Sequence, residues 1–529
     1  MKNFLLFCLL SSSFFAHAQR DYSNPVIDVL HYRFSLELND ENDMIKGEAT
    51  ITVKFLRDTR NFDLDLVKRN SSGKGMMVTN VRENNNAVLF THDDELIHIS
   101  TSVKEGDTIN YSVSYKGIPG DGLIIAKNKY GHRTFFGDNW PNRAHNWLPC
   151  IDHPSDKASV DFVITAPEHY QIIANGLQVE ENNLPNHQRQ THWKETADLP
   201  TKVMVMGAAD FAVNYAGDVD CIPVYSWVYP EDKDNGFYDY ALATEILPYF
   251  IKNVGPYAYK KLANVQSKTK FGGMENASAI FYFENSVTGD RKSEPLLTHE
   301  IAHQWFGNTA TETNWQHIWL SEGFATYMTH LYMENKYGAD TLHARMTEDR
   351  NAVIEFSKKR TTPIVDTSSG GNYMQLLNAN SYQKGGWVLH MLRRKLGDTI
   401  FWKGIQDYYM QYAGKNASTE DFRKAMEASS KLDLKSFFKQ WLYTTGQPFL
   451  TSNWKYSKGD VTVTVKQTQP TLYEFPLQIT VQSEKDTSTA KLTMKGKTGT
   501  ISIPVGSKPI NVILDPNIDL LFEEEKKGK

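Results

Sequence analysis

Between residues 26 and 215 apolar and polar positions alternate: Tyr32, Phe34, Leu36 and Leu38 each have polar or charged neighbours, as do Ala49, Ile51, Val53 and Phe55. A period of two buries one face of a strand and wets the other. Turn-forming clusters such as Asn39-Asp40-Glu41-Asn42-Asp43 and Asn84-Asn85-Asn86 break the alternation, and together they predict a large antiparallel β domain over 19–215. From 216 to 446 the texture changes to stretches of helical spacing, at 238–254, 295–308, 324–337, 385–396 and 419–429. Trp441 to Thr445 reads as the end of the last helix, with Gly446 as a left-handed stop and Pro448 preventing continuation. Beyond it Val461, Val463 and Val465, then Leu477, Ile479 and Val481, then Leu492 and Met494, then Ile501 and Ile503 mark short strands at sandwich-like spacing over 447–529. The closing 523–529 run of Glu, Lys and Gly reads as a solvated tail. The fold expected is multidomain α+β, with no internal repeat and no low-complexity linker.

The 529 residues suffice for two to four domains. A net charge of −5 with both signs interspersed leaves no basic stripe for nucleic acid and no polybasic membrane patch. Residues 1–18 form a separate object: Lys2, an apolar run from Phe4 to Phe15, then Ala16-His17-Ala18 as a small-x-small cleavage site. The run is short for about 30 Å of hydrocarbon and no later stretch qualifies. The expectation is export, periplasmic or secreted, with no integral membrane segment once the leader is removed. Cys8 sits in the leader behind Phe7, a poor context for lipid attachment; Cys150 and Cys221 are open to pairing or to remaining free.

His299-Glu300-Ile301-Ala302-His303, with Glu322 nineteen positions after the second histidine, changes the picture from fold to chemistry. Positions i and i+4 share a helix face, so two imidazoles there can grip one metal ion. Pro295 suits the first turn of that helix, and Ile301, Ala302, Trp305 and Phe306 bury the pair. Glu322 stands in a second apolar helix, Trp319-Leu320-Ser321-Glu322-Gly323-Phe324, where a carboxylate is costly unless paired or bound to metal. His299, His303 and Glu322 make three ligands, the number that leaves a catalytic zinc one open position. Glu300, roughly 100° of helix turn from His299, leans over that position as the candidate general base. Taken alone, the Gly272-Gly273 pair is weak evidence, Glu275 reads as a turn carboxylate, and Tyr382 reads as core at the head of an apolar helix. Trp305, Trp315 and Trp319 read as packing around the site.

Four segments in order, G-G-M-E-N at 272–276, H-E-I-A-H-Q-W-F-G-N at 299–308, W-L-S-E-G-F-A at 319–325 and Y-Q-K-G at 382–385, resemble the aminopeptidase N family of gluzincin metallopeptidases, which includes leukotriene-A-4 hydrolase. The resemblance runs from the N-terminal β region through W-L-Y-T-T-G-Q-P at 441–448. It implies a thermolysin-like catalytic domain over 216–446 holding one zinc ion per chain through His299, His303 and Glu322, with Glu300 as base. It implies that Glu275 binds the free α-amino group of a peptide substrate, that Gly272 and Gly273 lie along its backbone within a substrate-binding stretch including Met274 and Asn276, and that Tyr382 donates to the oxyanion. A carboxylate aimed at an ammonium fixes the distance from the start of a peptide to the zinc, which makes a peptidase an exopeptidase.

The chain departs from the family in places. Many relatives carry a Glu or Gln shortly before A-x-x-W-x-P as a second amine anchor; here that stretch is Ala144 to Pro149, and counting back without a gap lands on Trp140, with Asp138 as the substitute if the loop is shifted. Ser321 stands where Asn is common, and Thr329 where relatives often carry an acid. Nothing resembles the C-terminal helical domain that caps the site in many relatives, so an open cleft and tolerance of longer peptides are expected. The function expected is zinc-dependent removal of N-terminal residues from peptides; a zinc endopeptidase and a catalytically silent peptide-binding protein are the alternatives, with lipid-epoxide hydrolysis behind both. Oligomeric state is open.

Overall fold

The structure, a computed structural model, describes residues 23–525; the leader reading at 1–18 and residues 526–529 lie outside the described residues. Strand Ile27–Glu37 buries Tyr32, Phe34 and Leu36 and pairs antiparallel with Ile45–Phe55, which buries Ala49, Ile51, Val53 and Phe55. They lie in the middle of an eight-stranded sheet. That sheet is not antiparallel throughout, because Ile27–Glu37 also runs parallel to Lys157–Pro167, His31 opposite Ser159. A parallel partner needs a long crossover, and here it lies far along the chain, so no local turn signal announces it.

The second unit begins with a five-stranded mixed sheet made of β1 (Ala212–Val219), β2 (Ile222–Val228), β3 (Leu262–Ser267), β4 (Gly273–Met274) and β5 (Ala279–Phe283), in the order β1-β2-β3-β5-β4. The division drawn at 215/216 falls inside β1, whose pairing with β2 puts the whole strand in this sheet. β2, β3 and β5 run parallel, while the short β4 pairs antiparallel with β5 at the edge. Three helices then build the centre: α1 (Glu294–His303), α2 (Trp319–Tyr337) and α3 (Gly385–Leu396). Pro295 sits in the first turn of α1, where a missing N–H costs nothing. α2 is buried from Trp319 to Met333, as a central helix covered on all sides must be. α2 and α3 cross at glycines: a Cβ on Gly323 would stand 2.9 Å from the Gly385 Cα.

The last unit consists of two small sheets whose inward residues, Val461, Val463, Val465, Leu477, Ile479 and Val481, are buried. The end of the chain is not wholly a solvated tail. Glu523–Glu524 pairs in parallel with Phe449–Leu450, and Glu525 N–H donates to Leu450 O at 2.9 Å. The buried triplet Leu520, Leu521 and Phe522 just before it draws the acids in. Arg350 clamps this unit to the helices through Asp515 Oδ2 and Leu520 O, both at 2.6 Å. Cys150 is buried, Cys221 exposed, and both are free thiols. No helix among the described residues is long and apolar enough to cross a membrane.

Candidate active site

α1 places the His299 and His303 side chains one turn apart, with Nε2 atoms 3.1 Å from each other. Glu322, in the first turn of α2, brings Oε2 to 3.4 Å from His299 Nε2 and 3.2 Å from His303 Nε2. A tetrahedral ion about 2.0–2.1 Å from each donor needs donors about 3.3–3.4 Å apart, so the triangle fits zinc. Among the described residues this is the one cluster of three or more such side chains that could hold a metal. His303 Nδ1 lies 3.1 Å from Phe306 O and 3.0 Å from Ser321 Oγ. Donation to the Phe306 carbonyl fixes the tautomer that leaves Nε2 as a lone-pair donor. Ser321 is therefore a support of a ligand, a role its sequence position did not disclose. Thr329 donates back to Ala325 O at 2.8 Å within its own helix and stands in for no acid.

The charges of the site are consistent with a bound cation. Burial opposes charge on His303, yet Glu322, with Glu275 and Glu300 behind it, outweighs burial and pushes the imidazole up to about 9. Burial also works against ionised Glu322, but the two imidazoles hold its carboxyl well below the usual range. Burial lowers His299 and raises Glu300 far above an ordinary carboxylate. A divalent ion held by His299, His303 and Glu322 would take the place of the His303 proton and favour ionisation of the two acids whose pKa burial raises, Glu275 and Glu300.

These groups line a cavity of about 280 Å³ together with Gly272, Gly273, Met274, Glu275 and Tyr382, and with Trp140, Phe271, Leu296 and Leu377 as apolar walls. A larger hollow of about 750 Å³ lies between the helices and the C-terminal strands, but none of the His–His–Glu donors lines it. Glu275 is 5% exposed, and its Oε1 is buried with no protein partner. Burial raises its pKa, Glu322 adding to the effect while His303 and Lys202 oppose it. Lys202 is itself buried and paired with Glu312 at 2.5 Å. Asn276 is the one member of the G-G-M-E-N stretch outside the cavity lining; it is fully buried, and its N–H donates to Met274 O at 2.8 Å.

Two side chains that sequence reasoning passed over hold this stretch. Gln304 Nε2 and Asn308 Nδ2 both donate to Glu275 O, at 2.9 and 2.6 Å, and Gln304 Oε1 accepts from Ser278 N–H at 2.9 Å. Both belong to H-E-I-A-H-Q-W-F-G-N, so buried amides at the end of the metal helix were the available signal. Gly273 has its own reason to be glycine: a Cβ there would fall 2.3 Å from Glu300 Oε1. Tyr382 lies in a π-helical turn, Asn380–Lys384, that leads into α3, and the Gly323–Gly385 crossing lays it beside Glu322. Its ring stacks on His299 at 6.0 Å, and burial, then Glu322 and Glu275, keep its hydroxyl protonated. Asp138 does not reach the cavity as a second amine anchor. Its carboxylate is bound by Arg143, by Thr269 Oγ1 at 3.2 Å and by Lys270 N–H at 2.9 Å.

This arrangement gathers three metal donors, the Glu300 carboxyl and the unpartnered Glu275 oxygen in one small cavity, and the comparisons with known proteins give the family. Residues 29–203 match the peptidase M1 N-terminal domain and residues 238–441 the peptidase family M1 domain, together more than half of the chain. The chain is 27% identical over 444 residues to a probable aminopeptidase 2 of Sulfurisphaera tokodaii, covering 80% of this chain and 54% of that protein. It is 27% identical over 471 residues to human glutamyl aminopeptidase, covering 82% and 48%, and 24% identical over 467 residues to aminopeptidase M1 of Arabidopsis thaliana, covering 80% and 51%. The chain thus spans about half the length of the curated relatives it matches. With both domain matches in order along one chain and the metal-donor triangle inside the second of them, the chain belongs to peptidase family M1.

Proposed function

We propose that the protein is a zinc-dependent aminopeptidase that hydrolyses the first peptide bond of peptides with a free N-terminus. One observation carries the reading: a buried carboxylate oxygen without a protein partner, Glu275 Oε1, belongs to the same cavity as the three metal donors. A carboxylate so placed is stabilised by a cation that arrives with the substrate. His299, His303 and Glu322 would hold one zinc ion, which when bound polarises a carbonyl and lowers the pKa of water towards about 7.

Glu275 accepts hydrogen bonds from the substrate ammonium and stops the peptide one residue in. Met274, Gly273 and Gly272, on and beside edge strand β4, offer backbone to the substrate chain. Glu300, whose carboxyl burial raises, takes a proton from the attacking water and returns it to the departing amine. The Tyr382 hydroxyl donates to the carbonyl oxygen as negative charge develops on it. The leader at 1–18 supports export to the periplasm or the medium.

The test compares a peptide with its N-acetylated form, using the zinc-loaded protein and Glu275→Gln, with bound zinc quantified. Losing a charge-assisted bond of about 1.5–3 kcal/mol predicts that Glu275→Gln raises KM roughly ten- to hundredfold. One zinc per chain, resistance of the acetylated peptide and loss of activity with chelator are expected. Equal cleavage of free and acetylated peptides would return the assignment to an endopeptidase.

A further inference from the structure

Trp140 forms a wall of the cavity that holds Glu275, and none of the roles above uses it. The indole is only 2% exposed and is wedged nearly perpendicular to Trp315, 5.4 Å away, and to Phe271, 6.2 Å away. Its neighbours pin the loop. Asp138 is bound as described, and Asn139 donates to Met204 O at 2.6 Å and accepts from Trp147 Nε1 at 2.8 Å. The chain leading into Trp140 is therefore held in place. Its Nε1 is shielded from solvent and has no partner, so what the cavity meets is ring carbon and not an N–H donor.

The charges around this wall leave a single acid for an ammonium. Glu322 is a metal donor and Glu300 the base, and Lys202, over the Trp315 ring at 5.5 Å, is neutralised by Glu312. Glu275 remains. An ammonium carries three N–H donors, and a desolvated cation over the face of an indole is attracted to it without needing an N–H in any one direction. In a cradle of two acids, a methyl in place of one N–H would leave a buried acceptor unpaired. Against an indole the methyl meets carbon and the positive charge is kept.

Resting on the aminopeptidase reading, we propose that Trp140 is a specificity-determining residue: its ring is the second contact of the substrate's N-terminal ammonium. The resulting cradle of one carboxylate and one indole accepts N-methylated N-terminal residues alongside primary amines.

The experiment measures kcat and KM of the zinc-loaded full chain on a leucyl peptide, its N-methyl-leucyl analogue and its N-acetyl analogue, for wild type, Trp140→Phe, Trp140→Leu and Trp140→Glu. Wild type is expected to cleave the N-methyl peptide with kcat/KM within tenfold of the primary amine, and Trp140→Phe to keep that ratio. Loss of a desolvated cation–π contact predicts that Trp140→Leu raises KM for both roughly tenfold while kcat holds. Trp140→Glu is expected to widen discrimination against the N-methyl peptide beyond tenfold. A wild type that discriminates by more than tenfold, or a Trp140→Leu protein with full zinc content and unchanged KM, overturns the proposal. Should Trp140→Leu fail to fold, the wild-type ratio and Trp140→Phe decide alone. Cleavage of the acetyl peptide sinks the aminopeptidase reading itself, whereas its resistance with an insensitive Trp140 sinks only this one.

Discussion

Replacing Gly273 by alanine puts one methyl group against the proposed base. The added Cβ would lie 2.3 Å from Glu300 Oε1 and 2.5 Å from its Cδ, where ordinary contact begins at 3.4 Å. The carboxylate must retreat by about 1 Å, and a shift of that size in a positioned group costs roughly a hundredfold in rate, about 2.7 kcal/mol. Gly273 is not in the left-handed region, but the obstructing atoms, Glu300 Cγ at 2.6 Å among them, belong to a buried side chain that must turn as a whole, so a stability loss of about 1–3 kcal/mol is expected beside the lost activity. Gly272→Ala, whose Cβ would meet only Leu296 Cδ1, at 3.7 Å, leaves the base untouched and is compared in kcat, because Gly272 lines the same cavity and its substitution is free to change KM. Steady-state kinetics on a free-amine peptide, thermal melting and zinc content read the three quantities separately. The reasoning fails if Gly273→Ala keeps kcat within threefold of wild type, or if Gly272→Ala loses as much in kcat.

Gln304→Leu and Asn308→Ala each remove one amide from the Glu275 carbonyl and should raise KM for free-amine peptides by about fivefold with zinc content intact. In a Glu275→Gln background the same changes should add little, and additivity in that cycle would show that the amides act on stability alone. His390 predicts an acid-sensitive seam between α3 and the C-terminal unit: its Nε2–H donates to Ile518 O at 2.9 Å, and its Nδ1 lies 2.9 Å from the Tyr327 hydroxyl. Burial, with Arg394 adding, lowers its pKa to about 3, so the unfolded chain binds the extra proton between about pH 6.5 and 3. The contribution is fully present above pH 6.5 and is lost as pH falls, by up to about 5 kcal/mol, and denaturant unfolding across that range should show a slope that His390→Gln flattens.

What was legible in the sequence was what repeats locally. The alternation at Tyr32–Leu36 and Ala49–Phe55 gave strands because one face is buried at every second residue, and His299 and His303 were paired by helix geometry alone. What stayed hidden depends on contacts between distant segments. The parallel partner of Ile27–Glu37, the docking of Glu523–Glu524 and the position of Tyr382 beside Glu322 are set by partners far along the chain. Glu275 is the clearest case. On its own it reads as a turn carboxylate and only the resemblance carried by G-G-M-E-N assigned it to the site; its burial comes from the cavity walls and from the end of α1. Asp138 shows the opposite failure: an acid at a plausible position whose partners, Arg143, Thr269 and Lys270, draw it out of the site.

In the proposed aminopeptidase, the amides of Gln304 and Asn308 join the amine anchor to the metal donors as one unit. α1 carries His299, Glu300 and His303, and within two turns of Glu300 it and the residues that follow it grip the Glu275 carbonyl twice. A helix rises only about 1.5 Å per residue and its hydrogen bonds resist extension, so groups held from it keep their spacing when the sheet or loops move. Gly273 closes the arrangement from the other side by lying against Glu300, which ties strand β4 to the same helix. In the proposed reaction the separation between an ammonium on Glu275 and a carbonyl at the metal donors is therefore set by α1 and the turn that follows it, with Glu322 added from α2. If that separation were set by an unpinned loop, a peptide could advance by a residue at little cost and internal bonds would be cut; with the Glu275 carbonyl pinned at the end of α1, the proposed reaction brings the first bond alone to the donors.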